Sequence, residues 1–292
     1  MKLCTIAVAG GETFGAVVGD VFHDLGGHFA GRCSDIAGLL AGDHLEEARR
    51  YLEEVSNERT AAGARETPVS EVAFLPVISR SDARIFALGW SYKAHQEETG
   101  KDATPFPTLF NKLPQSLVGH GQALIKPRAS EMYDYEGEIA IVIGREGRHI
   151  PRESALAHIA GYTIVNDGSV RDWQKQSVAA GKNFDASSAM GPWLVTTDEI
   201  GDPRQMVLTT RLDGEVMQHS PFSLMAWDLD YLVHYVSTFT RLRPGDVIST
   251  GTPGGVGARR NPPRYVRAGE VIEVEVTGIG TLRNQVADEA VD

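Results

Sequence analysis

The chain has 292 residues, enough for a full hydrophobic core, and with 42% apolar and 23% charged residues it has the composition of a soluble globular protein. Its net charge of -11 argues against nucleic acid or an anionic membrane as a partner. Its 2 cysteines, without a C-x-x-C pair, exclude a cysteine-based metal site and a disulfide framework. With no basic-then-apolar leader and no stretch of membrane-spanning length, we predict a cytoplasmic protein.

The first quarter of the chain predicts a small domain of its own. Short apolar runs broken by glycines between Leu3 and Leu25 indicate an antiparallel meander. Apolar residues with helical spacing follow between Ser34 and Val55, and Asp35 can cap the start of that helix. The stretch from Ser56 to Ser70 is polar and is typical of a linker. We therefore place a domain boundary near residue 75.

Strand patterns dominate the rest of the chain, separated by Gly, Pro and Asp turns. The clearest helical segment runs from Leu229 to Phe239. The chain lacks the regular alternation of strands and helices that a doubly wound sheet requires. We predict an α+β fold, with a small β-rich N-terminal domain over residues 1–75 and a mixed, β-rich catalytic domain over residues 76–292. The predicted strands of the second domain are Ile85–Leu88, Ile139–Ile143, Tyr162–Val165, Val207–Arg211, Val247–Ser249 and Val271–Val276.

Two carboxylates stand two residues apart at the head of the apolar run Ile139–Ile143. In a strand, Glu136 and Glu138 point to the same side, which they share with Ala140 and Val142. Apolar residues occupy the other side too, so both sides of this strand are predicted to be covered. A buried carboxylate without a partner would protonate, and the common remedies are a basic residue or a hard cation. The pair therefore predicts a cation site.

A third carboxylate, Asp167, follows the next predicted strand, where a side chain can reach over the end of a sheet. Three carboxylates with open positions for water and substrate suit Mg²⁺ or Mn²⁺, with Ca²⁺ as a substitute. The alternative is that Asn166-Asp167-Gly168 is only an Asx turn, a common structure, and that Arg171 pairs with a nearby acid.

The segment from Gly89 to Glu98 contains a second group that could carry chemistry. If it forms a helical turn, His95 and Glu98 lie at i and i+3 and face each other. A glutamate that holds an imidazole raises its basicity, so the pair could deprotonate a water and later protonate a carbanion. The alternative is an ordinary exposed pair.

Three further positions could contact a substrate. Lys182 lies between a glycine and an aromatic residue and could anchor an anion, although such lysines are more often solvated. Gln174 could donate a hydrogen bond to a substrate oxygen or be an ordinary surface residue. The stretch from Thr250 to Gly257 lacks the patterns of nucleotide-binding loops. Its backbone amides and the Thr252 hydroxyl could bind a carboxylate or enolate oxygen, or it could form only a tight turn.

Taken together, these segments resemble the fumarylacetoacetate hydrolase superfamily over about residues 85 to 285, in particular its shorter acylpyruvase-like and decarboxylase-like bacterial members. Six motifs in the right order carry the resemblance: Gly89 through Glu98, Asp134 through Glu138, Val165 through Asp172, Gly181 through Asp185, Pro244 through Pro253, and Gly278 through Asn284.

The resemblance implies a mixed β-roll catalytic domain behind a smaller N-terminal domain, and a homodimer. It implies metal ligation by Glu136, Glu138 and Asp167. The residues it implies in catalysis are His95, Glu98 and Lys182, and the implied substrate contacts are Tyr92, Gln174, Lys182 and Thr252. The sequence departs from the family at Trp90-Ser91, where an asparagine often precedes the tyrosine, and at Val178, where longer members have a tyrosine. These departures argue against fumarylacetoacetate itself as the substrate.

We therefore predict a Mg²⁺- or Mn²⁺-dependent hydrolase that cleaves a carbon–carbon bond in a small anionic β-diketo or acylpyruvate-type acid, as in aromatic catabolism. The metal would stabilise the departing enolate, and His95, held by Glu98, would activate water. One alternative keeps the metal and changes the reaction to decarboxylation, isomerisation or dehydration of an oxaloacetate-like or other 2-keto acid. Another is a non-catalytic metal- or ligand-binding protein on the same scaffold.

Overall fold

A computed structural model of the protein describes residues 1–57, 67–93 and 105–290. Within these residues, strands outnumber helices and are joined by short 3₁₀ turns. The α-helices are α1 (Ile36–Ala41), α2 (Leu45–Asn57), α3 (Arg152–Ala155), α4 (Arg171–Gln174), α5 (Val178–Gly181) and α6 (Leu229–Phe239). The strands are β1 (Lys2–Val8), β2 (Gly11–Val18), β3 (Val21–Asp24), β4 (Thr67–Pro68), β5 (Ile85–Gly89), β6 (Thr108–Lys112), β7 (Leu117–Val118), β8 (Leu124–Lys126), β9 (Tyr133–Asp134), β10 (Gly137–Ile143), β11 (Ile159–Asn166), β12 (Ser169–Val170), β13 (Ser188–Thr196), β14 (Val207–Leu212), β15 (Glu215–Pro221), β16 (Val247–Ser249), β17 (Val271–Val276) and β18 (Gly280–Asp288).

The larger of the two main sheets has 11 strands, with the order β4-β3-β2-β1-β13-β11-β10-β16-β5-β6 and β7 paired beside β13. Strand β10, which follows Glu136 and contains Glu138, lies in its interior between β11 and β16. Its antiparallel ladder with β11 sets Gly137 opposite Asn166, and its ladder with β16 ends at Ala140 opposite Ser249. The head of β10 therefore extends beyond the ladder with β16, next to the end of β11.

The N-terminal segment adds its strands to this same sheet. The predicted meander is confirmed as β1, β2 and β3, and β1 pairs with β13 through Leu3 and Leu194. The predicted helical stretch is divided into α1 and α2, because Asp43 adopts a positive φ of 54° that no right-handed helix contains. Asp35 caps α1 by accepting a hydrogen bond from Gly38 N at 2.6 Å. The domain boundary near residue 75 stays a prediction.

A second sheet, in the order β15-β14-β17-β18-β8, covers one side of β10. The odd-numbered residues of β10, such as Ile139 and Ile141, share a core cluster with Leu208 and Val274 of that sheet. The even-numbered Ala140 and Val142 belong to another core cluster, which includes Leu39 and Leu40 of α1. Every residue of β10 is buried, so the alternation of faces and the covering of both sides occur as predicted.

The predicted α+β fold is confirmed, and the six strands predicted in the second domain correspond to β5, β10, β11, β14, β16 and β17. Helix α6 has the predicted bounds. The sequence analysis did not identify β13, because Gly191 and Pro192 in its middle are typical of a turn. None of the helices in the described ranges has both the length and the apolar composition needed to cross a membrane.

At Gly137 the second sheet packs closely on β10. A Cβ atom there would lie 2.1 Å from Thr210 Oγ1 and 3.0 Å from Val274 Cγ1. We expect Gly137→Ala to lower the free energy of unfolding by about 1–3 kcal/mol, the usual cost of overpacking a core, as measured by urea denaturation. Gly201→Ala is the matched control, because a Cβ there meets no atom within 4 Å. Equal stabilities of the two variants would contradict the close packing of the sheets.

Candidate active site

Glu136, Glu138 and Asp167, here called the carboxylate trio, come together at the head of β10. One oxygen of each lies within 4.8 Å of those of the others, and all three side chains are buried. The strand register explains the arrangement, because Asp167 directly follows the last residue of β11 and its N–H donates to Glu136 O at 2.8 Å. The turn after β11 and the alternation along β10 thus place all three predicted carboxylates at one point.

Three basic side chains surround the trio. Lys182 Nζ lies 2.7 Å from both Glu136 Oε2 and Asp167 Oδ2. Lys112 Nζ forms an ion pair of 2.7 Å with Asp167 Oδ1, and Arg171 Nη1 lies 2.7 Å from Glu136 Oε1. The negative charges of Glu136 and Asp167 are therefore balanced by basic side chains of the protein itself.

Asp134, a fourth buried carboxylate, binds the guanidinium of Arg171. Its Oδ2 accepts a hydrogen bond of 2.8 Å from Arg171 Nε, and its two oxygens accept bonds of 2.9 Å from the backbone amides of Gly257 and Ala258. Arg171 Nη1 also donates to Gln174 Oε1 at 3.1 Å. Asp134 therefore fixes the guanidinium of Arg171. The Nη1 of that guanidinium contacts both Glu136 of the trio and Gln174.

Glu138 is the member of the trio that lacks a basic partner among the described residues. Its Oε2 accepts hydrogen bonds from Ser249 Oγ at 2.5 Å and Gly251 N at 3.0 Å, whereas its buried Oε1 has no hydrogen-bond partner there. Burial, followed by repulsion from Asp167 and Glu136, raises the pKa of Glu138 well above its ordinary value. A cation at Oε1 would remove this penalty.

The donor set decides which cation fits. The trio offers only carboxylate oxygens, which suit hard ions such as Mg²⁺ and Mn²⁺, and the orphaned Oε1 supplies a ligand atom that nothing else in the described chain uses. The trio therefore fits a divalent metal ion.

Lys182 and Lys112 are both almost fully buried, at 2% exposure each. The interpretation of Lys182 as a solvated loop residue is therefore wrong. Burial alone would lower its pKa, but Asp167 and Glu136 outweigh burial and raise it above the ordinary value, so Lys182 stays an ammonium. For Lys112, burial prevails over Asp167 and lowers the pKa.

Lys112 is a site residue that sequence reasoning missed. Its Nζ also contacts Lys182 O at 2.5 Å, so it fixes the backbone of the other lysine as well as Asp167. It stands at the end of the short edge strand β6, where a lysine is typical of an exposed position, and no motif singles it out.

The predicted substrate contacts lie around the trio in different environments. Tyr92 is 1% exposed, its hydroxyl has no partner among the described residues, and burial together with the charge of Glu138 raises its pKa. Gln174 is half-buried at the end of α4. Thr252 is 3% exposed, and its hydroxyl donates to Gly137 O at 2.9 Å. The one proton of that hydroxyl is therefore already used within the protein.

The dyad predicted from the sequence, His95 and Glu98, lies outside the described residues, and its place in the site stays a prediction. Tyr92, three positions before His95 in the sequence, forms an isolated β-bridge with Met225. Ser91 is buried and donates to Thr250 O at 2.5 Å. This part of the chain is thus tied to the segment that follows β16.

Residues 84–287 match the family model described as fumarylacetoacetate (FAA) hydrolase, C-terminal. The chain belongs to the fumarylacetoacetate hydrolase family. It is 37% identical to the human mitochondrial oxaloacetate tautomerase FAHD2A over 246 residues, which cover 83% of this chain and 78% of that protein. It is 36% identical to the oxaloacetate tautomerase YisK of Bacillus subtilis (strain 168) over 255 residues, covering 85% and 84%.

A solved structure of the family agrees with the fold along the whole chain. The fumarylacetoacetate hydrolase of Exiguobacterium antarcticum superposes with a TM-score of 0.82 and 31% identity, over 99% of this chain and 100% of that one. The predicted membership of the fumarylacetoacetate hydrolase superfamily is confirmed, and with it the assignment of this chain to a family of enzymes.

We expect Glu138→Ala to weaken Mn²⁺ binding by more than about 100-fold, because changes to residues that only support metal ligands already cost 10- to 100-fold. Isothermal titration measures the affinity. A melting curve without metal checks that the variant folds, because it also removes the acceptor of the Ser249 Oγ and Gly251 N hydrogen bonds. Glu153→Ala, at an exposed position of α3, is the control. Unchanged Mn²⁺ affinity of Glu138→Ala would overturn the metal assignment.

Proposed function

We propose that this protein is a divalent-metal-dependent enzyme that interconverts the keto and enol forms of a small dianionic 2-keto acid of the oxaloacetate type. The observation that carries the proposal is the charge balance of the closed site. Among the described residues, its four carboxylates, the trio and Asp134, form ion pairs with three basic groups, Lys112, Lys182 and Arg171. A divalent cation would reverse the remaining negative charge and make the site attractive to an anion.

When bound, the cation would act as a Lewis acid that polarises a carbonyl and stabilises the charge of the enol form. Lys182 would bind the substrate: its ammonium has three N–H donors, and the trio accepts two of them. Gln174 would add a second donor through its Nε2, because its Oε1 already accepts a hydrogen bond from Arg171. Both contacts suit carboxylate or carbonyl oxygens.

Tautomerisation requires only that a proton leave the carbon beside the keto group and that one be added to the carbonyl oxygen. Atoms and charge balance without water or a second substrate. His95, held by Glu98, is the acid–base group that the sequence predicts for this transfer. The names of the human and Bacillus subtilis relatives support this reaction over the carbon–carbon cleavage that the sequence analysis preferred.

Hydrolytic cleavage of an acylpyruvate-type acid is the second candidate. It needs the same enolate stabilisation, followed by attack of an activated water on the remote carbonyl. Two observations favour it: the structural likeness to a fumarylacetoacetate hydrolase over the whole chain, and the sequence motif with His95 and Glu98, which could activate that water.

The proposed function is tested with freshly dissolved oxaloacetate, whose enol form absorbs in the ultraviolet. We expect Mn²⁺-loaded protein to accelerate the keto–enol equilibration, and EDTA to abolish the acceleration. Glu138→Ala should lose it and Glu153→Ala should keep it. Pyruvate formation, followed in parallel by NMR, identifies decarboxylation, and an acylpyruvate assay identifies hydrolysis. If the loaded protein leaves the rate of equilibration unchanged, the tautomerase proposal is wrong.

His95→Ala tests the acid–base role separately from the metal. We expect the variant to lose about 10²–10⁴-fold in the rate of tautomerisation, the usual contribution of a general acid–base group, while Mn²⁺ affinity stays unchanged. The control is His219→Ala, at an exposed position of β15. A His95→Ala variant with the full rate would show that another group moves the proton.

A further inference from the structure

Gln218 lies on β15, in the second sheet, and is 1% exposed. Its Oε1 accepts a hydrogen bond of 3.0 Å from Gly137 N, the peptide between the two glutamates of the trio. Its Nε2 donates to Thr252 Oγ1 at 2.7 Å and to Pro253 O at 2.9 Å, both in the segment that follows β16. One carboxamide therefore joins the second sheet to two separate segments of the site.

These bonds close into a ring. Thr252 Oγ1 donates to Gly137 O at 2.9 Å while it accepts from Gln218, so Gly137 is held at its N–H by one side chain and at its carbonyl by the other. Both N–H donors of the Gln218 carboxamide are used, and every member of the ring is buried. A fully satisfied buried network of this kind favours a single geometry, because any shift leaves a polar group unpaired.

The ring lies beyond the backbone hydrogen bond of 3.0 Å from Thr250 N to Ile139 O, which joins β10 to the segment after β16. The ladder between β10 and β16 ends at Ala140 and Ser249, but the segment beyond Ser249 still has to hold Glu138 through Ser249 Oγ and Gly251 N. Beyond the ladder, hydrogen bonds of the Gln218 carboxamide and the Thr252 hydroxyl set the distance between the head of β10 and the segment after β16. Both act through Gly137, whose Cβ direction points to the second sheet, away from the side that carries the trio.

We propose that Gln218 is a positioning residue of the metal centre, which fixes the distance between the head of β10 and the segment after β16, and so keeps Glu138 Oε1 directed at the cation. The hydrogen bonds of Gln218 within the described residues go to Gly137, Thr252 and Pro253 and not to the trio's oxygens. The inference rests on the divalent-metal site of the proposed function, and it adds a role for Thr252 as the second member of the ring.

The first test compares Gln218→Met, which keeps the length of the side chain and removes its hydrogen bonds, with Ile272→Val, which trims a buried side chain of β17 in the same sheet. We expect Gln218→Met to weaken Mn²⁺ binding by about 10- to 100-fold in isothermal titration, the range for residues that support metal ligands. Ile272→Val should lower the melting temperature and leave the Mn²⁺ affinity unchanged. Wild-type affinity in folded Gln218→Met, or equal weakening by Ile272→Val, would overturn the proposal.

A double-mutant cycle tests the ring itself and does not depend on Gln218→Met alone. Thr252→Val removes the hydroxyl at constant shape and should weaken Mn²⁺ binding, whereas Thr252→Ser, which keeps the hydroxyl, should restore it. Because the two residues act as one unit, the double variant should lose much less than the product of the two single losses. Losses that multiply would mean that the two residues act independently, against the proposal.

The affinity measurements also separate this inference from the proposed function. If wild-type protein binds Mn²⁺ tightly but does not accelerate the tautomerisation of oxaloacetate, the proposed function fails while the effect of Gln218→Met on affinity still decides the role of the ring. If wild-type protein binds no Mn²⁺, the metal centre and the inference are both wrong.

Discussion

The cost of burying carboxylates determines the architecture around the head of β10. Four of them are removed from water, three between positions 134 and 138 and the fourth at Asp167, and each would take up a proton unless a positive charge or a set of N–H donors stabilised its ionised form. Asp134 obtains backbone amides and a guanidinium, and Glu136 and Asp167 obtain basic side chains. Of these four, Glu138 is the one with an oxygen that has neither a hydrogen bond nor an ion pair in the described part of the chain. The asymmetry leaves a single place for an added cation.

The same constraint explains why so many different elements meet at this point. No single strand or helix can supply three cations and several amides to one cluster, so they come from β6, α4, the loop after α5 and the segment after β16. Each contact is a long-range one: Lys112 and Lys182, for example, are 70 positions apart in the chain. The fold therefore brings basic side chains and backbone amides from distant segments to the buried carboxylates, in addition to burying apolar surface.

Sequence reasoning reached the trio because its signal is local. Alternation along one strand placed Glu136 and Glu138 on one side, and a turn after the next strand placed Asp167 beside them. The strands rich in branched apolar residues and helix α6 were predictable for the same reason. Lys112 and Gln218 were not, since their roles depend on which distant segments they meet, and a lysine or glutamine in a short strand has no pattern of its own. Strand β13 was missed because its Gly-Pro pair reads as a turn, although neighbouring strands hold it in the sheet.

The pairing of β1 with β13 has a consequence for how this enzyme can be divided. The segment that matches the family model, residues 84–287, contains the charged centre but not the strands and helices that cover the even-numbered side of β10. Excised alone, it would leave β13 with one edge unpaired by β1 and would open the apolar surface that includes Val142 and Leu194 to water. Such an edge beside such a surface is a template for aggregation. The segment that matches the family model is therefore not an exchangeable module, and gene fusions or library designs that shuffle it have to carry the N-terminal strands along.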